Sequence, residues 1–122
     1  MDTEKVVNEL RQKYPGKNII KNPEDDPAEI ICEIMPAKGG GAGIAVAIID
    51  ESVPHYHKKT AETYRVIKGM LTVFKNGRPF NLQPGDKLAV NPGELHYAIG
   101  NETWVEVIAN PGWTIEDHFF LG

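Results

Sequence analysis

The chain has 122 residues, a hydrophobic fraction of 41% and a formal net charge of -4. That length suits one domain and that fraction suffices for one core, while the acidic balance argues against nucleic acid or an anionic membrane as partner. The single cysteine, Cys32, excludes an internal disulfide and suits a reducing compartment, and no stretch reaches the ~20 apolar residues of a membrane span.

Met1-Asp2-Thr3-Glu4 is polar and acidic rather than a signal peptide, so the expected location is the cytoplasm. Val6, Val7, Leu10 and Tyr14 recur at helical spacing, with Thr3 as the expected cap. Pro15-Gly16 ends that helix, which therefore occupies residues 1–16 and packs outside the main body. Asn18-Ile19-Ile20 is a short strand, and 22–27 is a polar, proline-punctuated loop. Ile30, Ile31, Ile34 and Met35 mark a strand whose Cys32 reads as a packed thiol, because nothing cationic flanks it closely. Residues 38–43, Lys-Gly-Gly-Gly-Ala-Gly, form a flexible connection. Their glycine spacing is wrong for a phosphate loop, and no lysine-hydroxyl pair follows.

Ile44 to Ile49 is β-rich. Tyr64 to Ile67 and Leu71 to Phe74 flank Lys68-Gly69, and Asn76-Gly77 signals a hairpin. Phe80 and Leu82 lie on the next strand, before a turn at Pro84-Gly85-Asp86. Lys87 to Val90, His96 to Ile99 and Trp104 to Ala109 complete the ladder. Asn110-Pro111-Gly112 breaks it before an aromatic tail, Trp113 to Leu121. Many short strands with frequent turns predict an all-β sandwich or barrel over about residues 17–121, within a single domain spanning 1–122.

Residues two apart on a strand share a face, so His55 and His57 aim two imidazoles at one point. Glu62 returns a carboxylate from the next strand, and His96 adds a third imidazole from far along the chain. Three nitrogens and one carboxylate oxygen make a set for a divalent transition metal. A surface ion pair of Glu62 with Lys58 or Lys59 is the bland alternative. If Glu62 points inward, alternation turns Tyr64 and Val66 inward as well. Tyr64 is then either a packed aromatic or a catalytic hydrogen-bond partner. Leu71 and Val73 fill the barrel, an outward Phe74 fits a dimer interface, and small Ala98 leaves room for a ligand. Trp113, His118, Phe119 and Phe120 close the barrel end or cross to a partner subunit. His118 is also a candidate acid or base near the mouth.

His55, His57, Glu62 and Gly69, followed by Gly85, Gly93 and His96, resemble the two motifs of the cupin superfamily, in particular its small single-domain members. The resemblance covers about residues 40–110. It departs at Ile49, where a glycine is usual, at Asn91 with Pro92 beside it, and at Gly100 with Asn101 next. It implies a double-stranded β-helix, or jelly-roll barrel, and dimers built by pairing outer sheets. It also implies that His55, His57, Glu62 and His96 bind iron, manganese, nickel, cobalt, copper or zinc. Ligand type alone does not separate these metals.

Two reactions suit such an ion. One is isomerase or epimerase chemistry on a carbohydrate-like, hydroxy-acid or keto-acid molecule, with the metal as Lewis acid. The other is iron(II) dioxygenase chemistry. A third reading is a non-catalytic, metal-assisted binder of a small ligand. Tyr56, Lys58, Lys59, Thr60, Tyr64 and Glu94 make the surroundings polar and favour the first. No clustered arginines suggest a phosphate clamp, and no helix-turn-helix follows the barrel.

Overall fold

The computed structural model describes residues 1–36 and 41–120. Lys38, Gly39 and Gly40 of the glycine-rich connection lie outside the described residues, as does Leu121 at the end of the tail.

Helix α1 spans Thr3–Lys13. Its cap is Asp2 rather than Thr3, because the Asp2 carboxylate accepts from the Lys5 amide at 3.2 Å. Val6, Val7 and Leu10 are buried against Ile30, Cys32, Val46, Ile48 and Trp104. Leu10 lies three and four residues after Val7 and Val6, so the three make one apolar stripe, which covers the outside of a sheet as expected. Lys13 and Lys68 close over the Trp104 ring at 4.9 and 5.0 Å.

Ten strands follow: β1 Asn18–Asn22, β2 Glu29–Met35, β3 Gly43–Glu51, β4 His55–Tyr56, β5 Ala61–Lys68, β6 Leu71–Lys75, β7 Arg78–Leu82, β8 Lys87–Val90, β9 His96–Asn110 and β10 Phe119–Phe120. All their pairings are antiparallel. One wall of the barrel runs β1-β2-β3, then the second half of β9, then β5 and β8. The other joins β7, β6, the first half of β9, β4 and β10. This is the jelly-roll barrel with one N-terminal helix, the double-stranded β-helix.

β9 departs from expectation. The predicted strands His96–Ile99 and Trp104–Ala109 are one 15-residue strand that crosses between the walls. It bends at Gly100 to Thr103, where Glu102 adopts φ 46° and its amide donates to Asp50 Oδ1 at 2.8 Å. A Cβ at Gly100 would lie 2.8 Å from the Ile49 carbonyl oxygen and 2.5 Å from Thr103 Oγ1, so the bend admits no side chain there. The hairpin at Asn76-Gly77 has φ 50° and 80°, the two left-handed residues that a type I′ turn requires.

Alternation decides what faces inward. Tyr64 and Val66 of β5, Leu71 and Val73 of β6, Ala47 of β3 and Val105 of β9 build the barrel core. Ala98 belongs to that core and not to a ligand cavity. In β2, Ile30 and Cys32 face the helix, so Glu29, Ile31 and Glu33 face the interior. Burial raises the Cys32 thiol above its ordinary range, in keeping with a packed and unreactive sulfur.

Candidate metal centre

β4 ends at His55-Tyr56, and His57 follows directly. Glu62 is the second residue of β5 and His96 the first of β9, with His96 opposite His55 in the ladder. The ligand atoms of these four residues all lie within 4.8 Å of one another. His57 is 2% exposed and His96 1%, and His55 and Glu62 are buried too.

The hydrogen bonds fix how the imidazoles are turned. His55 Nδ1 meets the Val53 carbonyl at 2.8 Å, His96 Nδ1 meets that of Glu94 at 2.9 Å, and His57 Nδ1 meets that of Asp117 at 2.7 Å. A carbonyl only accepts, so each Nδ1 carries a proton and donates it. Each Nε2 is left to converge on the centre. His57 Nε2 and His96 Nε2 both lie 3.1 Å from Glu62 Oε1. Lone pairs and a carboxylate in that arrangement demand cationic charge between them, supplied by protons or by a metal. Buried imidazoles oriented by Nδ1–H to a carbonyl are the usual surroundings of a metal-ligating histidine, and the residues fit a divalent ion. The alternative ion pair of Glu62 with Lys58 or Lys59 does not form, because Glu62 points inward at two histidines instead.

Electrostatics agree with the geometry. Burial acts to raise the Glu62 carboxyl, but hydrogen bonds from His57 and His96 outweigh it and hold the group well below the carboxylate range. Burial, then the charge of His96, pushes His55 down to about 4, so it is neutral and able to ligate. At His57 burial acts downward, but hydrogen bonding and attraction from Glu62 raise the group overall.

The tail lies over this centre. β10 pairs with β4, setting Phe119 against Tyr56 and Phe120 against His55. The His118 ring stacks on His55 with centroids 4.3 Å apart and planes 8° apart. Trp113 Nε1–H donates to His118 Nδ1 at 2.8 Å. Of the two catalytic candidates read from the sequence, the structure thus brings His118 onto the cluster. Tyr64 sits beneath it, its hydroxyl 3.5 Å from Glu62 Oε1. Burial, with Glu62 and Glu29 nearby, raises the Tyr64 phenol well above its ordinary value, so it stays protonated and donates.

Two residues escaped the sequence reading. Asp117 is 7% exposed, and its carboxylate accepts from the amides of Lys58 at 2.8 Å, Lys59 at 3.0 Å and Thr60 at 3.0 Å. It therefore clamps the loop between His57 and Glu62. Burial acts to raise its carboxyl, and the three amides hold it below its ordinary value. The second residue, Glu29, lines a cavity of about 610 Å³ that His55, His57 and Glu62 also line. Burial, and then the charge of Glu62, lifts Glu29 from 4.5 to about 7. The strand alternation of β2 was the available signal for Glu29.

The shift at Glu29 has a consequence for stability. A carboxyl raised on folding binds its proton more tightly in the native state. The contribution of Glu29 to stability is then fully present below about pH 4.5 and is lost as pH rises through about 7. Glu29→Gln removes that loss, so the metal-stripped variant should exceed the wild type by roughly 2–3 kcal/mol at pH 8 and by little at pH 4.5. Urea unfolding at both pH values measures the gap, and an equal gap at both would refute the raised carboxyl of Glu29.

The cavity wall is more apolar than the sequence suggested. Ile31, Met35, Val107, Ile115 and Phe120 line it, whereas Tyr56, Lys58, Lys59, Thr60 and Glu94 do not. Glu94 closes its own turn on the Asn91 amide at 2.6 Å, and Thr60 Oγ1 donates to the Pro111 carbonyl at 2.9 Å. Among the described residues no helix is long and apolar enough to cross a membrane.

No curated protein matches the chain at the sequence level. Solved structures share its fold. Pac13, a nucleoside dehydratase whose Streptomyces form was also solved with uridine, is 12% identical with a TM-score of 0.74. That match covers 88% of this chain and 90% of Pac13. KdgF from Halomonas sp. is 19% identical with a TM-score of 0.64 over 76% of this chain and 93% of its own. L-ribose isomerase from Cellulomonas parahominis is 13% identical with a TM-score of 0.69 over 77% of this chain and 69% of its own. The Cupin_2 family model, the cupin domain, matches residues 46–118, which is more than half of the chain and includes all four converging residues, so the chain belongs to the cupin family.

Proposed function

We propose that the protein is a metal-dependent enzyme that moves a proton within a small hydroxy-carbonyl compound, the reaction class of sugar isomerases and epimerases. The observation that carries this reading is the convergence of His55, His57, Glu62 and His96 within 4.8 Å, three of them lining a cavity that also holds other titratable groups. A bound divalent ion supplies Lewis acidity toward the oxygens of the substrate. The protein does the rest. The Tyr64 phenol donates toward Glu62 and stays protonated. His118 accepts from Trp113 on Nδ1, so its Nε2 carries the remaining proton and donates. Phe120, Ile115 and Trp113 add apolar surface to the cavity wall. The fold is shared with an L-ribose isomerase, which agrees with the class.

The apolar part of the wall favours a second reading, an iron(II) dioxygenase acting on a molecule with an apolar body. One experiment separates the two. Protein loaded in turn with iron(II), manganese, nickel, cobalt and zinc is offered aldoses, ketoses and keto acids under nitrogen, and oxygen consumption is followed in parallel in air. The proposal expects isomer formation under nitrogen. Oxygen uptake restricted to the iron form, without anaerobic turnover, would replace it with the dioxygenase. Stoichiometric metal with neither activity would leave a small-ligand binding protein.

A further inference from the structure

Outside the four converging residues, the titratable groups of the cavity wall are Lys21, Glu29, Glu33, Tyr64 and His118. A proton carrier needs a free basic atom, and three of the five offer none. Lys21 is a cation with only donors. Tyr64 is held as a phenol beside Glu62. His118 has its acceptor nitrogen occupied by Trp113 at 2.8 Å. Glu33 keeps one oxygen free but has the other tied to Asn18 Nδ2 at 3.0 Å, in a bond exposed to solvent. Among the described residues, Glu29 alone on this wall has both carboxylate oxygens without a hydrogen-bond or ion-pair partner. They are not sealed away, since no fully buried side-chain oxygen or nitrogen lacks a partner. They therefore open onto the cavity. The backbone of Glu29 is held between Asn22 of β1 and Ile49 of β3, so its Cα is fixed by a ladder on both sides.

We propose that Glu29 is the proton-carrying residue of this cavity and that its substrates are α-hydroxycarbonyl compounds, an assignment that rests on the function proposed above. Glu29 takes the proton from the hydroxyl-bearing carbon. The electron pair of that C–H bond forms a carbon–carbon double bond, and the carbonyl π pair moves to oxygen. Glu29 then returns its proton to the former carbonyl carbon while the hydroxyl proton passes from one oxygen to the other. One carbon is oxidised as its neighbour is reduced, and no co-reactant is consumed. Glu62 and Tyr64 of β5, Glu33 of its own strand, Lys21 of β1 and His118 of the tail share the cavity with it. Burial, with Glu62, sets Glu29 near 7, a value suited both to taking and to giving a proton.

The test uses the full chain loaded with zinc, with dihydroxyacetone in D2O as the probe and proton NMR to follow loss of its C–H signal. Wild type should exchange faster than the zinc-free protein. Glu29→Gln should slow the exchange by about 100- to 10,000-fold with bound zinc and circular dichroism unchanged, and Glu29→Asp should restore part of the rate. In carboxyl-labelled protein, the carbon-13 signal missing from Glu29→Gln should titrate near 7 in the zinc-free wild type. Exchange by Glu29→Gln at the wild-type rate overturns the role of Glu29 and leaves the function standing. A signal that titrates near 4.5 also counts against Glu29. Absence of exchange by fully loaded wild type overturns the isomerase reading and the assignment of Glu29 together.

Discussion

Replacing His57 with alanine should strip the purified protein of metal while leaving the barrel folded. His57 Nε2 is one of four donor atoms, and its Nδ1–H is the bond that ties the ring to the Asp117 carbonyl at 2.7 Å. Loss of an outer partner of a ligand already costs about 10- to 100-fold in affinity. Removal of the donor itself should exceed that, taking metal from about one ion per chain to less than about a tenth. The fold should survive, because His57 lies outside both apolar clusters and in the turn after β4, not in a ladder pair. Elemental analysis beside far-ultraviolet circular dichroism reads both quantities. Stoichiometric metal in a folded His57→Ala protein would show that the cluster is not the metal site. Glu62→Gln is the milder companion. It keeps the shape of the side chain and removes the charge facing His57 and His96, so it should weaken metal binding and leave the fold intact. If it unfolds the protein instead, the buried His57–Glu62–His96 network is structural first.

Much of this architecture was legible in the sequence because it depends on short-range rules. Two-residue alternation put Glu62, Tyr64 and Val66 on one face of β5, and all three are buried. Asn-Gly fixed the β6–β7 hairpin, and helical spacing placed Val6, Val7 and Leu10 on one side of α1. What stayed hidden depends on distant partners. Gly100-Asn101-Glu102 reads locally as a turn that should end a strand, yet Asp50 accepts the Glu102 amide from 52 positions away and β9 continues through the bend. Glu29 and Glu33 alternate with Ile30 and Cys32 and look like a solvent-facing edge. They face inward because α1 covers the opposite side of β2. The polar residues next to the histidines in sequence misled for the same reason. Neighbours along a loop point away from the site as readily as toward it, and the cavity wall comes from β1, β2 and β3 instead.

Asp117→Ala should produce the largest loss of stability outside the barrel core, and it should weaken metal binding without touching a ligand. The Asp117 carboxylate satisfies three successive amides in the loop that joins His57 to Glu62. Lys58 and Lys59 are exposed, so water can replace part of what they lose, whereas Thr60 is buried at 2% and its amide is left without a partner. One orphaned buried donor and two weakened ones amount to about 2–4 kcal/mol. The carbonyl that orients the His57 ring belongs to the backbone and survives the substitution. Any fall in affinity therefore reports a loosened loop, and about 10- to 100-fold is expected. Asp117→Asn should lie between, since an amide retains one acceptor oxygen but turns a donor toward donors. Acid should mimic the alanine. The Asp117 carboxyl is held below its ordinary value in the fold, so its contribution is present above about pH 4 and is lost as pH falls through the lowered value. Metal affinity by competition with a chelating dye, read beside urea unfolding, checks both effects. An Asp117→Ala protein with wild-type affinity and wild-type stability would mean that the β4–β5 loop holds its shape unaided. The tail would then be reduced to a cover over the cavity, and the sequence from Trp113 onward would owe its aromatic character to packing on β4 alone.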